Sequence, residues 1–227
     1  MTLYYMTRVR VLNIFAKLKQ GGGPLNTFRV NDISTCHHDY VCNASNASVE
    51  GPVRGKIHNF EVDRISFFTL AKILNGINIR EYKIIHAQGR GGATYALLIK
   101  IICIFINHRI HIVYTYRGLI KYTGLKGFLQ GVMEFFISYL AKSFICVSHS
   151  ELRNSLKYYP VRKGVSVIIP NGVIDKKLEI MSSLPHEKIQ DYSSVVIVGR
   201  ISSEKDVAHS ILLAKNIFET MGSYKIK

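Results

Sequence analysis

The sequence predicts an α/β protein: a parallel sheet flanked by helices, followed by the first strand and helix of a second unit of the same kind. Three observations predict it. Short runs rich in Val, Ile, Tyr and Phe alternate with longer stretches whose apolar residues recur every three or four positions. Several short runs end in loops that lead straight into the helical patterns, as strand–loop–helix units do. With 48% hydrophobic residues the chain can build a core, which excludes wholesale disorder.

The elements follow in order. RVRVLNIF (residues 8–15) reads as a first strand, ending in the loop Gly21-Gly22-Gly23-Pro24. Residues 39–42 form a weaker second strand and residues 57–62 a third. Residues 66–77 read as a helix, with Phe67, Leu70, Ala71, Leu74 and Ile77 on one face. YKIIHA (residues 82–87) is a strand running into a loop, Gly89-Arg90-Gly91-Gly92, before an apolar helix from Ala93 to Ile106. That segment carries Lys100 and is shorter than the roughly 20 apolar residues a bilayer span needs, so it reads as a buried helix. IHIVYT (residues 110–115) is the next strand. The helix after it is the clearest in the chain, with Leu125, Phe128, Leu129, Val132, Phe135, Phe136, Tyr139 and Leu140 at helical spacing. Its apolar face is expected to pack into the core, although its amphipathicity would also suit a bilayer surface. SFICV (residues 143–147) leads into Ser148 and Glu151, a capping-box spacing, with Leu152, Leu156 and Tyr159 as the apolar stripe behind it. VSVII (residues 165–169) closes the first domain, taken as residues 1–175. A linker follows over 176–192. SVVIV and a helix over 206–220 then open a second domain, residues 193–227, which reads as unfinished.

Charge narrows the partners. Thirty Lys and Arg against 15 Asp and Glu give a formal net charge of +15, which favours nucleic acid, an anionic membrane face or phosphorylated small molecules. No zinc finger, no RNP-like aromatic run and no clustered basic stripe supports nucleic acid. The four cysteines show no CxxC pair, which points to a reducing, cytoplasmic setting, and no signal peptide opens the sequence. Cys36, His37, His38 and Cys42 lack zinc-site spacing, so no metal is expected.

In open parallel sheets ligands bind at the carboxyl ends of strands. The candidates there are the two glycine loops, His86 and Arg117. Gly22 and Gly23 would let backbone N–H groups approach a phosphate, and Arg90 adds a charge to the second loop. Neither loop has dinucleotide-fingerprint or Walker spacing, and tight turns explain both as well. Arg200 and Lys205 converge two cations on a helix start, which suits a diphosphate and equally a solvated surface loop.

Three passages together resemble glycosyltransferase family 4. FICVSHSELRNSLKYYP followed by VSVIIPNGV is similar to the end of that family's N-terminal domain. VVIVGRISSEKD is similar to the opening of its C-terminal domain, and KIIHAQGRGG with HIVYTYRG to its mid-domain strand ends. The resemblance implies a GT-B architecture, two Rossmann-like domains facing across a cleft. It implies transfer of a hexosyl or related sugar from a nucleotide diphosphate sugar to a glycan or lipid-linked glycan, in surface polysaccharide synthesis, with no metal or other cofactor. Arg200 and Lys205 would be catalytic, holding the donor diphosphate and its leaving-group charge. Gly22 and Gly23 would approach the same phosphates. His86, Arg90 and Arg117 would line the acceptor side, and Asn171 and Gly172 would begin the hinge. Family members of this kind work at the cytoplasmic membrane face, where anionic lipids attract a basic surface.

Two departures stand out. Arg117 occupies a place where many members have His, and an always-charged guanidinium is no proton shuttle. The family's acidic C-terminal motif has no counterpart, so the chain reads as truncated. The alternative is a non-catalytic acceptor- or membrane-binding half that needs a separate donor domain, or an inactive remnant.

Overall fold

The computed structural model describes residues 9–17, 22–44, 53–117, 124–158, 163–172, 197 and 206–221. The chain divides into two units, residues 1–173 and 174–227. In the first unit the elements run β1 (Arg10–Lys17), α1 (Gly22–Ile33), β2 (His37–Asn43), β3 (Ile57–Asn59) and α2 (Phe67–Gly76). A short 3-10 turn then leads to β4 (Ile84–Gln88), α3 (Gly89–Phe105), β5 (His111–Thr115), α4 (Gly124–Leu140), β6 (Ala141–Cys146), α5 (His149–Tyr158) and β7 (Ser166–Ile168). Among the described residues these seven strands form one sheet in the order β3-β2-β1-β4-β5-β6-β7, every pairing parallel. This is the doubly wound, Rossmann-like arrangement the sequence predicts.

Strand alternation sorts the core into two layers. Leu12 and Ile14 of β1, Val41 of β2 and Ile85 of β4 join Leu70, Ile73, Ala96, Ile99 and Ile137 from α2, α3 and α4. The neighbours pointing the other way, Phe15, Tyr40 and Cys42, meet Phe28 of α1 in a separate aromatic cluster. Period-two burial on both faces is what a sheet covered by helices on each side requires.

Helix ends follow their caps. Ser66 is extended and its Oγ accepts the Thr69 N–H at 3.4 Å, which starts α2. Ser148 Oγ accepts the Glu151 N–H at 3.1 Å, while Glu151 Oε2 accepts the N–H of Val147 at 2.7 Å, one residue before the Ser148 N–H that the box pattern names. Two predicted loops are helical instead. Gly22 and Gly23 lie in the first turn of α1, and Gly89 to Gly92 form the first turn of α3. Glycine serves packing there: a Cβ on Gly92 would collide with the Ile14 carbonyl, so only glycine lets α3 sit this close to β1.

The expectation for α4 is reversed. Its predicted core face is exposed, at 75% for Leu125, 68% for Phe128 and 70% for Tyr139. The side turned to the sheet buries Glu134, Ile137 and Ser138. A specific polar contact accompanies this orientation: Tyr116 donates to Glu134 Oε2 at 3.0 Å and Arg90 Nε stands 3.6 Å from Oε1.

At the amino end of the sheet, Asp39 is buried and receives Arg10, the Tyr82 hydroxyl (2.7 Å) and the Lys56 N–H (2.8 Å). In the second unit, α6 (Val207–Met221) is described, starting after Asp206 as predicted. The expected linker and the strand before α6 lie outside the described residues, apart from Ile197. Among the described residues no helix is long and apolar enough to cross a membrane.

Candidate functional site

β1 pairs with β2 on one side and β4 on the other, so the winding direction reverses between β1 and β4. Loops leave the strand ends in opposite directions at such a point and open a crevice. A cleft of about 110 Å³ lies there, at the carboxyl ends of β4 to β6 and beside α1. Asn26, Thr27 and Val30 of α1 line one wall; His86, Gln88, Thr115, Arg117 and Asn171 supply its polar groups.

Arg117, two residues past β5, holds these pieces together. Its Nε donates to Gln88 Oε1 at 3.0 Å, one terminal nitrogen to Asn171 Oδ1 at 3.1 Å and the other to Thr27 Oγ1 at 3.0 Å. Asn26 Nδ2 also donates to Asn171 Oδ1, at 2.9 Å. The planar guanidinium thus ties α1, the end of β4 and the segment after β7 to one point, which a lysine could not do. Burial lowers the Arg117 pKa and the charge of Glu151 raises it, and the group remains cationic.

His86 lies beside it. Its Nε2 is 2.7 Å from Thr115 Oγ1, and Gln88 Nε2 sits 3.0 Å from the same ring nitrogen. Burial first, then the positive charge of Arg117 and of His38, pushes the His86 pKa down to about 4. At neutral pH the ring is uncharged and offers one N–H and one lone pair. Among the described residues, no carboxylate lines the cleft. The site therefore presents neutral hydrogen-bonding groups and one fixed cation, a surface for hydroxyls and anionic groups rather than for a cation.

The Glycosyltransferase Family 4 pattern matches residues 29–177, a span that holds α1 from its middle, β2 to β7 and most of this cleft. The chain belongs to Glycosyltransferase Family 4. Its fold is similar to that of Anabaena HepE in complex with UDP-glucose, at TM-score 0.51 and 16% identity over 73% of this chain and 44% of that one. HepE with UDP and glucose aligns at TM-score 0.50, again at 16% identity, over 73% and 45%. A glycosyltransferase from Rickettsia africae aligns at TM-score 0.49 and 14% identity over 77% and 48%. The chain thus spans under half the length of each of these structures. No curated protein gives a significant match.

In this family 4 chain, His86, Arg117 and Asn171 come together at the cleft, and Gly172 follows directly. Gly22 and Gly23 form the turn of α1 just before Asn26 and Thr27, with no acidic residue in that turn to offset the helix dipole. Arg90 is not among the cleft residues and engages buried Glu134 of α4. Arg200 and Lys205 lie outside the described residues. Sequence reasoning missed Asn26, Thr27, Gln88 and Thr115. Gln88 was discoverable, because it stands two residues after His86 on the same strand face; Thr27 was not, because the run after Gly23 showed no helical stripe.

Proposed function

We propose that the chain is the acceptor-side half of a glycosyltransferase that moves a sugar from a nucleotide diphosphate sugar to a hydroxyl of a glycan or lipid-linked glycan. The observation that carries this reading is the Arg117-strapped cleft at the winding reversal of a Glycosyltransferase Family 4 chain. HepE, which shares the fold, was solved with UDP-glucose, which favours a uridine diphosphate sugar as donor class.

The chemistry follows from the groups at hand. The acceptor oxygen forms the new bond to the sugar's anomeric carbon as the bond to the diphosphate breaks. Arg200 and Lys205 supply positive charge to the departing diphosphate, the role the family resemblance implies. His86, with a pKa of about 4, is too weak a base to take the acceptor proton near neutral pH. It orients a hydroxyl instead, and the proton leaves on the departing diphosphate. Arg117 positions His86 and the cleft walls without touching the reacting atoms. A net charge of +15 suits both the donor and an acceptor presented at an anionic membrane face, the setting of surface polysaccharide synthesis.

The test is release of nucleoside diphosphate from a panel of UDP-, GDP- and ADP-sugars, with and without glycan acceptors. Turnover that falls at least about 100-fold in Lys205→Ala is expected, since loss of one transition-state charge contact costs about that much. Unchanged turnover in Lys205→Ala removes the assigned donor site. Absence of both turnover and nucleotide-sugar binding across the panel leaves the chain a non-catalytic half.

A further inference from the structure

We infer that the cleft takes the anionic group of an acidic acceptor sugar, a carboxylate or a phosphate ester, and that Arg117 is the residue that selects it. This reading rests on the acceptor-side assignment proposed above and names the class of acceptor.

Its basis is an unbalanced charge. Two other arginines that turn inward in this fold meet a carboxylate: Arg10 lies 2.7 Å from Asp39, and Arg90 Nε stands 3.6 Å from Glu134. Arg117 does not. It donates to the amide oxygens of Gln88 and Asn171 and to the hydroxyl of Thr27, all neutral. Among the described residues it forms no ion pair. Glu151 acts on it from beyond ion-pair distance and is itself engaged in capping α5, where it accepts the Val147 N–H. Neutral oxygens orient a guanidinium without cancelling its charge. A cation withdrawn from water in this way gains most from an anion that can reach it.

The donors match such a group. A guanidinium carries five N–H groups, and the contacts above use one on each nitrogen. Each terminal nitrogen therefore keeps one more, and both lie against residues of the cleft, Asn171 and Thr27. Asn171 contributes as well. Its Oδ1 already accepts from Arg117 and Asn26, which leaves its amide nitrogen to donate. Charged N–H groups beside a neutral amide suit the paired oxygens of a carboxylate or phosphate. The rest of the lining includes Val30, Ile145, Ile169 and Pro170, an apolar surface for the C–H face of a sugar ring. Space limits the occupant: about 110 Å³ is well below the roughly 300 Å³ at which pockets for whole small-molecule ligands begin. One end of a sugar enters, and a nucleotide does not.

Calorimetry on the full chain tests this with methyl glucuronide and methyl glucoside, which differ only in a carboxylate replacing a hydroxymethyl group. The glucuronide should bind at least about tenfold tighter, the difference a charged hydrogen bond makes, and Arg117→Gln should abolish that preference. Glucose 6-phosphate is the phosphate-ester probe, and whichever acidic sugar binds tighter identifies the anion. A second readout leaves the strap intact. Burial, then the charges of Arg117 and His38, hold the His86 titration at about 4. An anion on Arg117 should move that midpoint upward in ring-proton NMR, and methyl glucoside should leave it in place. Equal affinity for glucuronide and glucoside, a preference that survives in Arg117→Gln, or no binding of either acidic sugar overturns the proposal. Inorganic phosphate that matches glucose 6-phosphate overturns it too, because the sugar is then not recognised. So does UDP that displaces the acidic sugar with the same His86 shift, since Arg117 would then serve the donor diphosphate. Sugar transfer to neutral acceptors alone would leave the transferase reading standing while this one falls.

Discussion

Lowering the pH from about 7 to about 4.5 tests the burial of His86 and, through it, the construction of the cleft. Its imidazolium form is disfavoured by burial, then by Arg117 and His38, which takes the pKa from 6.5 to about 4. The unfolded chain therefore binds a proton that the folded chain refuses. Stability is undiminished by this group above about pH 6.5, falls as pH drops from 6.5 to 4, and levels off below that. By about pH 4.5 most of the window has been crossed, and the loss from His86 alone amounts to about 2 to 3 kcal/mol. His38 and His58 are shifted down as well, by burial first, so the parent protein cannot isolate the effect. His86→Gln can: it keeps a hydrogen-bonding side chain and removes the titration. Urea unfolding followed by circular dichroism at the two pH values gives the comparison. The acid-induced loss in the parent should exceed that in His86→Gln by about 2 to 3 kcal/mol. Equal losses would refute the account of a buried neutral imidazole. Arg117→Met removes one positive neighbour, so the His86 pKa should then rise, which ring-proton NMR titration reads directly.

Three further outcomes follow from the packing. Burial raises the Asp39 pKa, but Arg10, the Lys56 N–H and Tyr82 outweigh it and hold the carboxyl at about 2; Asp39→Asn should cost about 3 to 5 kcal/mol in urea unfolding at neutral pH. Because that pKa is depressed, the contribution is present above about pH 3.8 and disappears only as pH falls through 2. Gly92→Ala should lower the melting temperature sharply, since its Cβ meets the Ile14 carbonyl, whereas Gly131→Ala, with open space and a helical backbone, should stabilise by about 0.5 to 1 kcal/mol. Burial pushes the Cys42 thiol up to about 11, so it should resist Ellman's reagent in the native state and react fully in urea.

How much of this was legible in the sequence depends on whether the deciding interaction is local. Strands β1 to β7 and helices α2 to α5 announce themselves because alternation and helical spacing are local consequences of which face is buried. Ser66 and Ser148 mark helix starts because a cap reaches only three residues. α1 was hidden, since its apolar residues form no clear stripe and its first turn is glycine. The site was half legible. His86 and Arg117 stand at strand ends, where ligands bind in such sheets, but the strap depends on Thr27, Gln88 and Asn171, which only the folded sheet brings to one guanidinium. α4 shows the limit most clearly. Periodicity locates its apolar stripe correctly and says nothing about which way the stripe points. The inward side carries one carboxylate, Glu134, which meets Tyr116 and Arg90 from other elements. Turning Glu134 outward would leave the Tyr116 hydroxyl buried without its acceptor, at a cost of about 1 to 3 kcal/mol. A lone acid in an otherwise apolar helix is thus the residue to examine before assigning such a stripe to the core. Glu134→Leu, which removes the reason for the inversion, should release Arg90 and reduce the exposure of the Phe128 and Phe135 face. Hydroxyl-radical footprinting of those two rings would report it, and unchanged labelling would show that the sheet, not Glu134, sets the orientation.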